Sequence, residues 1–311
     1  MASDASMIVL GIDVGGTKIA AGLVQFPTGE VLAERSIPTN SAQGGKAVLD
    51  RIIRLAETLA AEARARGRTI SIIGLGVCEL VDPTGRIFSH NCLGFTETDV
   101  RARLAHLAPL VVEADVRAGA IAEAMFGAGR AYRIFLYVSV GTGIASCLML
   151  DGAPYLGARG ATGTMASSPI SVPCERCGHI SRQTLEEIAS GPGLVARYNQ
   201  LKPGLAKTGQ EVLAAAVAGD GEGMQVVQAA SEALESAVGL LVNVLDPEAV
   251  VVGGGLGLSE GPFWDGFIAS TRKHIWSEVH RNLPIVRAQT GVRAGLVGAA
   301  AAAWKKAAQF Q

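Results

Sequence analysis

Three short apolar runs in this chain each end in a glycine turn, and that pairing limits the folds open to it. Met7 to Ile12 leads into Asp13-Val14-Gly15-Gly16-Thr17-Lys18, Ile134 to Val140 into Gly141-Thr142-Gly143, and Ala249 to Val252 into Gly253-Gly254-Gly255. Apolar runs this short, bounded by glycine, read as buried strands. Further strands are expected at Ile19 to Val24, Val31 to Arg35, Ile70 to Val77, Leu110 to Glu113 and Ala145 to Leu150. Helical spacing alternates with them. Residues 47–66 set Val48, Ile52, Leu55 and Leu59 on one face, and helices are expected at Thr96 to Leu107, Ala118 to Met125, 209–219, 225–245 and 293–308. Residues 151–193, rich in Gly, Pro, Ser and Cys, read as loops. Strands interleaved with helices predict an α/β fold, and the 311-residue length suits one large domain or two lobes.

Composition narrows the partners. Apolar residues make up 49% of the chain and aromatics only 5%, so its cores must be built from Ala, Val, Leu and Ile. The 27 basic and 28 acidic side chains give a net charge of -1, with no positive excess to attract nucleic acid or an anionic membrane. The apolar run after Met7 is too short for a signal or membrane helix, and a soluble cytoplasmic protein is expected. Five scattered cysteines do not form a disulfide framework.

The glycine turns carry the chemistry. Without a Cβ, backbone N–H groups can approach phosphate oxygens closely. Thr17 and Thr142 add hydroxyl donors, and Asp13 is placed to hold a water of a Mg²⁺ ion on those phosphates. The first turn fits neither a Walker loop nor a Rossmann fingerprint. One glycine turn after a strand is more often plain connection geometry. Three of them, one with a carboxylate, favour a nucleotide-phosphate clamp.

Asp13 to Lys18, Ser139-Val140-Gly141-Thr142-Gly143, and Leu245-Asp246-Pro247-Glu248 running into Gly253-Gly254-Gly255 together resemble the ROK family of sugar kinases and related repressors. Val81-Asp82-Pro83-Thr84-Gly85, Asn91-Cys92-Leu93-Gly94-Phe95 and Ala189-Ser190-Gly191-Pro192 follow the same pattern in the same order. The resemblance implies a two-lobed actin/hexokinase-type ATPase fold with ribonuclease H-like lobes, and with ATP and substrate in the cleft. A small N-terminal lobe, 1–116, would be joined by a C-terminal helix, 293–311, and 117–292 would form the large lobe. ATP with Mg²⁺ would be bound by Asp13, Gly15, Gly16, Thr17, Lys18, Gly141, Thr142, Gly143, Gly254 and Gly255. Asp115 keeps the family's base position, although an Asp there is also a preferred helix cap. Phosphoryl transfer asks of such a carboxylate only that it orient the hydroxyl and take its proton late.

The acceptor side departs from the family. The Asn residues flanking the base are Ala114 and Arg117, and the segment whose Glu and His hold sugar hydroxyls reads Gly163-Thr164-Met165-Ala166-Ser167. A Pro-Gly pair lining the cleft reads Cys78-Glu79. The expected substrate contacts are Glu79, Asn91, Asp115, Arg117, Thr164, Ser167 and Glu186. Each missing hydrogen bond to a buried hydroxyl is worth on the order of 1 kcal/mol, which argues against plain glucose as the best acceptor. A carboxylate at 79 suits a cationic substituent, so an amino sugar such as kanosamine is the leading candidate for phosphorylation on its primary hydroxyl. A C7-cyclitol kinase, a plain glucokinase and a non-catalytic sugar-binding protein are the alternatives, and the other reading of Glu79 is a solvated loop residue. A sugar-sensing repressor would carry a helix-turn-helix ahead of Asp13, where this sequence has 12 residues. The family resemblance makes a homodimer the expected assembly.

Cys174-Glu175-Arg176-Cys177-Gly178-His179 has zinc-like spacing. Cys177 and His179 align with the first two cysteines of the family's structural zinc site, and Cys174 is a candidate substitute ligand. A reduced pair in a rebuilt loop is the other reading.

Overall fold

The strand that carries the first glycine turn, Met7–Val14 (β1), lies at the centre of a sheet and is buried along nearly its whole length. Its residues therefore form an unbroken apolar run, with none of the alternation of a half-exposed strand. The computed structural model describes residues 6–173 and 180–308. The chain divides into two units, one made of Met1–Arg130, Gly152–Thr162 and Val292–Gln311, the other of Ala131–Asp151 and Gly163–Gly291.

In the first unit β1 is followed by Lys18–Phe26 (β2), Glu30–Pro38 (β3), helix Gly45–Ala65 (α1), Ile70–Val77 (β4), helix Glu97–Leu104 (α2), Leu110–Ala114 (β5) and helix Asp115–Phe126 (α3). The strand order is β3-β2-β1-β4-β5. The first three strands form an antiparallel meander, and β1, β4 and β5 run parallel. α1 buries Val48, Ile52, Leu55, Ala56 and Leu59 at helical spacing. Thr96 and Asp99 form a capping box at the start of α2.

The second unit contains Ile134–Val140 (β6) and Ile144–Leu150 (β7); the short strand Ala153–Pro154 (β8) follows in sequence. Then come Pro169–Pro173 (β9), Ile180–Thr184 (β10) and helices Leu185–Ala189 (α4), Gly191–Leu201 (α5), Gly209–Val217 (α6) and Gly221–Leu245 (α7). Strand Ala249–Gly253 (β11), helices Pro262–His274 (α8) and Glu278–Arg281 (α9), and strand Ile285–Arg287 (β12) complete it. The strands run in the order β12-β11-β6-β7, with β12, β11 and β6 parallel and β6–β7 a hairpin. Each unit thus joins an antiparallel hairpin with a glycine turn to parallel neighbours. α7 lays Val227, Leu234, Val238 and Val242 into a core that includes Phe263 and Phe267 of α8.

The C-terminal helix Ala294–Ala308 (α10) belongs to the first unit. It is made almost entirely of small residues because it lies backbone to backbone on its neighbours. A Cβ on Gly74 of β4 would lie 1.9 Å from the Ala299 carbonyl oxygen, and one on Gly298 would lie 1.7 Å from that of Ala118. α3 packs on α10 in this way, so the first unit runs past the boundary at 116 that the sequence suggests.

Three further differences from the sequence reading have local causes. Residues 151–193 hold β8, β9, β10 and α4, whose short lengths give no readable period. α8 escapes because Gly261-Pro262 looks like a breaker; the proline sits in the first turn of the helix, where it costs nothing. α2 ends at Leu104, short of Leu107. Among the described residues no helix is long and apolar enough to cross a membrane.

Candidate active site

Parallel strands place their outgoing loops side by side at one edge of a sheet, where ligands of α/β folds collect. In the first unit Val14 of β1 is opposite Val77 of β4, and Val77 is opposite Ala114 of β5. The residues that follow, Gly15, Cys78 and Asp115, therefore leave that edge together. The glycine turn is closed by the Gly15 N–H donating to the Lys18 carbonyl at 2.9 Å. Thr39 braces it: its hydroxyl donates to the Gly15 carbonyl at 2.7 Å and its N–H to that of Thr17 at 2.9 Å. Thr39 is fully buried, and nothing in the sequence singles it out.

Asp13 points its carboxylate at the start of α10, into space left by Gly295. Burial pushes its pKa up to about 6, against the opposing pull of the Lys18 ammonium. Asp115 is the first residue of α3, and the residue in the N-cap position is Ala114, which makes no side-chain cap bond. The Asp115 Oδ1 accepts from the Val116 N–H at 2.6 Å. Burial, and then the neighbouring Asp13 charge, push its pKa up to about 7, although the Val116 N–H and the Arg117 charge favour the ionised form. Two carboxylates held close together at one sheet edge with raised pKa values fit a site that meets cationic or proton-bearing ligands. Asp13 also meets the demands of a site for a hydrated Mg²⁺: it is a half-buried carboxylate in a cradle that one added methyl group would fill.

Two expected substrate contacts turn out to hold the protein to itself. Glu79, buried, accepts from the Ser89 hydroxyl and from the N–H of Asn91 at 3.0 Å through Oε2. Its Oε1 accepts from the N–H groups of Cys92 at 2.6 Å and Leu93 at 3.0 Å. A carboxylate offers about four acceptor positions, and all of them are taken. Burial opposes the charge, but the Ser89 hydroxyl and the three N–H groups outweigh it and hold Glu79 below its usual range. Glu79 thus organises the irregular loop 88–95 and has no acceptor site left for a substrate. Arg117, also buried, donates to Glu113 at 2.5 Å, to the Gly160 carbonyl at 3.0 Å and to that of Val81 at 2.7 Å. It ties two loops to α3 in place of reading a ligand. Asn91 is exposed on the loop that Glu79 holds.

In the second unit the other two glycine turns leave adjacent parallel strands, since Gly253 of β11 is opposite Ser139 of β6. The Val140 carbonyl accepts from the N–H groups of Leu256 at 2.9 Å and Gly257 at 3.1 Å. Gly254, at φ 81°, must be glycine: a Cβ there would lie 2.4 Å from the Val140 oxygen. The Gly191 N–H at the head of α5 donates to the Gly141 carbonyl at 2.8 Å, bringing a helix N-terminus against the turn. Ser190 caps that helix. Thr142, Gly143 and Gly255 are exposed, and Gln210 borders Gly255. Exposed glycines, a helix N-terminus and a threonine hydroxyl form the kind of surface that takes phosphate oxygens. Glu186 accepts from the Ile144 N–H at 2.9 Å and so braces this turn from below. Thr164 and Ser167 lie exposed on one short helical turn of the same unit. Cys174, Cys177 and His179 lie outside the described residues.

A family model described as "ROK family" matches residues 9–306. This chain belongs to the ROK family. The ROK chain is 31% identical over 306 residues to the bifunctional enzyme NanE/NanK of Brucella melitensis, covering 96% of itself and 54% of that longer relative. It spans about half of that protein. It is 29% identical to a glucokinase of Streptomyces coelicolor, covering 94% of itself and 96% of the relative. Among solved structures, the ROK hexokinase from Thermus thermophilus superposes with a TM-score of 0.77 at 30% identity, covering 97% of this chain and 100% of that one. A ROK glucokinase from Streptomyces griseus, in complex with glucose and AMPPNP, superposes with a TM-score of 0.80 at 26% identity, covering 96% and 99%. The α/β fold of two mixed sheets with flanking helices is that of ROK hexokinase-type structures.

Proposed function

We propose that this chain is an ATP-dependent sugar kinase with Asp115 as its general base. The observation that carries this reading is the pairing of Asp13 and Asp115 at one sheet edge, both half-buried, where desolvation pushes their pKa values up to about 6 and about 7. A base with a pKa near the working pH is efficient, because it is substantially ionised yet still basic enough to take a proton. The acceptor hydroxyl oxygen attacks the γ-phosphorus, the bond from phosphorus to the ADP oxygen breaks, and the hydroxyl proton passes to Asp115. Asp13 would hold water of a Mg²⁺ ion, which would neutralise phosphate charge when the nucleotide is bound, and Lys18 lies close enough to Asp13 to moderate its charge. The turns at Gly141–Gly143 and Gly254–Gly255 supply N–H groups for the nucleotide. A glucokinase, a hexokinase and an N-acetylmannosamine kinase among its relatives support a hexose-type acceptor.

The occupied carboxylate of Glu79 removes the reason to favour a cationic acceptor such as kanosamine. A neutral hexose or an N-acylated aminohexose fits the remaining groups better, with cyclitols as the rival. ADP release over a panel of glucose, N-acetylmannosamine, glucosamine, kanosamine and cyclitols tests this. A neutral sugar should lead; a preference of tenfold or more for a free amine would overturn the acceptor reading, and ADP release with no member of the panel would count against the kinase reading itself.

A homodimer is supported by one apolar surface. Leu240 and Val244 of α7 and Trp276 and Val279 beyond α8 are largely exposed. Asn243 of α7 ties the segment after α8 to that helix, its amide donating to the His274 carbonyl and accepting from the Trp276 N–H. Light scattering should give twice the chain mass, and a monomer after Trp276→Glu; a monomeric wild type would refute it.

A further inference from the structure

The thiol of Cys78 hydrogen-bonds to that of Cys92. Phosphoryl transfer as derived above uses neither. Cys78 is the first residue beyond β4, with its N–H donating to the Val14 carbonyl at 3.1 Å. It leaves the sheet beside Asp115, because Val77 and Ala114 are register partners. Cys92 sits in the irregular loop 88–95, whose grip comes from Glu79, the residue after Cys78. The segment Cys78-Glu79 therefore holds that loop twice, through the carboxylate to backbone N–H groups and through one thiol to the other. Cys92 is exposed and Cys78 half-buried. Cys147 is buried and offers no comparable partner among the three described cysteines.

We propose that Cys78 and Cys92 are a modification site: hydrogen peroxide oxidises them to a reversible disulfide that locks loop 88–95 against the base and suppresses phosphoryl transfer. The exposed Cys92 reacts first. Its thiolate sulfur attacks one peroxide oxygen, the O–O bond breaks, hydroxide leaves, and Cys92 becomes a sulfenic acid. The Cys78 sulfur then attacks the Cys92 sulfur. An S–S bond forms, the S–O bond breaks, and the released oxygen departs as water with the Cys78 proton. Two electrons pass from the two sulfurs to the peroxide, which ends as two water molecules. The hydrogen bond to Cys92, burial and the Asp115 charge push the Cys78 thiol up, so Cys92 is the sulfur that meets the peroxide. The bond ties loop 88–95, and Asn91 with it, covalently to the end of β4. A thiol reductant reverses the change by exchange.

The linkage stands on the position of the two thiols; only its effect on rate rests on the kinase reading. The test uses the full chain, reduced and then exposed to hydrogen peroxide, alkylated and digested without reductant. A peptide joining Cys78 to Cys92 is expected, lost on dithiothreitol. Activity on the best acceptor should fall at least tenfold and return with the reductant, while Cys92→Ser and Cys92→Ala keep an oxidised-to-reduced activity ratio near one. Cys92 found as sulfinic acid or joined to another cysteine, with Cys78 still open to alkylation, would overturn the proposal. So would a Cys78–Cys92 link with unchanged activity, or equal loss in the Cys92 variants. If the reduced protein phosphorylates no acceptor, the kinase reading fails and the linked peptide alone decides the disulfide.

Discussion

Gly295 and Asp13 compete for one space: a Cβ on the glycine would lie 2.2 Å from the Asp13 Oδ2. The glycine, second residue of α10, lets a half-buried carboxylate stand against the helix head. Three residues further along the same helix, Gly298 meets the backbone of Ala118 at 1.7 Å by the same measure. One neighbour is a side chain that can turn, the other a carbonyl that cannot.

That contrast separates function from stability on one helix. Gly295→Ala should displace the Asp13 carboxylate and lower phosphoryl transfer at least tenfold. Its melting temperature should change little, because the gain of about 1 kcal/mol in helix propensity offsets the crowding. Gly298→Ala should cost on the order of 3 kcal/mol or more by forcing α10 off α3. Thermal melts and turnover of the two variants check both halves; a loss of stability in the first and not the second would refute it.

The raised pKa values of Asp13 and Asp115 have a signed consequence. Each group binds its proton more tightly in the folded chain than in the unfolded one, so ionising it works against folding. The favourable contribution is complete below pH 3.8 and is lost as the pH rises through about 6 for Asp13 and about 7 for Asp115. Asp115→Asn should therefore melt higher than the wild type at pH 8, with the difference shrinking towards pH 4. Activity runs the other way: kcat should rise with pH through about 7 as the base ionises, the two carboxylates titrating as a coupled pair.

Glu79→Gln tests the gripping role of that carboxylate. A glutamine keeps one acceptor oxygen and turns an NH₂ group towards N–H donors that need an acceptor. The loop 88–95 should loosen, with hydrogen exchange at Asn91, Cys92 and Leu93 accelerated and a stability loss of roughly 1–3 kcal/mol. If Glu79 instead contacted the acceptor, KM would rise and those amides would stay protected.

The fold was legible in the sequence wherever the period was long or the run fully apolar. β1, β4, β6, β11, α1 and α7 follow directly from such patterns, and the three glycine turns mark the sheet edges where ligands collect. β8, β9 and α4 were not legible: they are short, and unlike the equally short β5 and β11 they hold no run of three apolar residues. The roles of Glu79 and Arg117 were hidden for a different reason. A charged residue near a substrate position reads the same whether it faces the ligand or the backbone, and only the hydrogen bonds to Ser89, Val81 and Gly160 separate the two. Thr39 and Gly295 act through contacts with residues far away in sequence, which no local pattern encodes.

The central claim is that Asp115 takes the acceptor's proton. Turnover of Asp115→Asn, measured as phosphorylated sugar formed with the wild type's best acceptor and saturating ATP, tests it most directly. If Asp115 is the base, kcat falls roughly 10²–10⁴-fold while ATP binding is retained. Turnover within a factor of two of the wild type would contradict it.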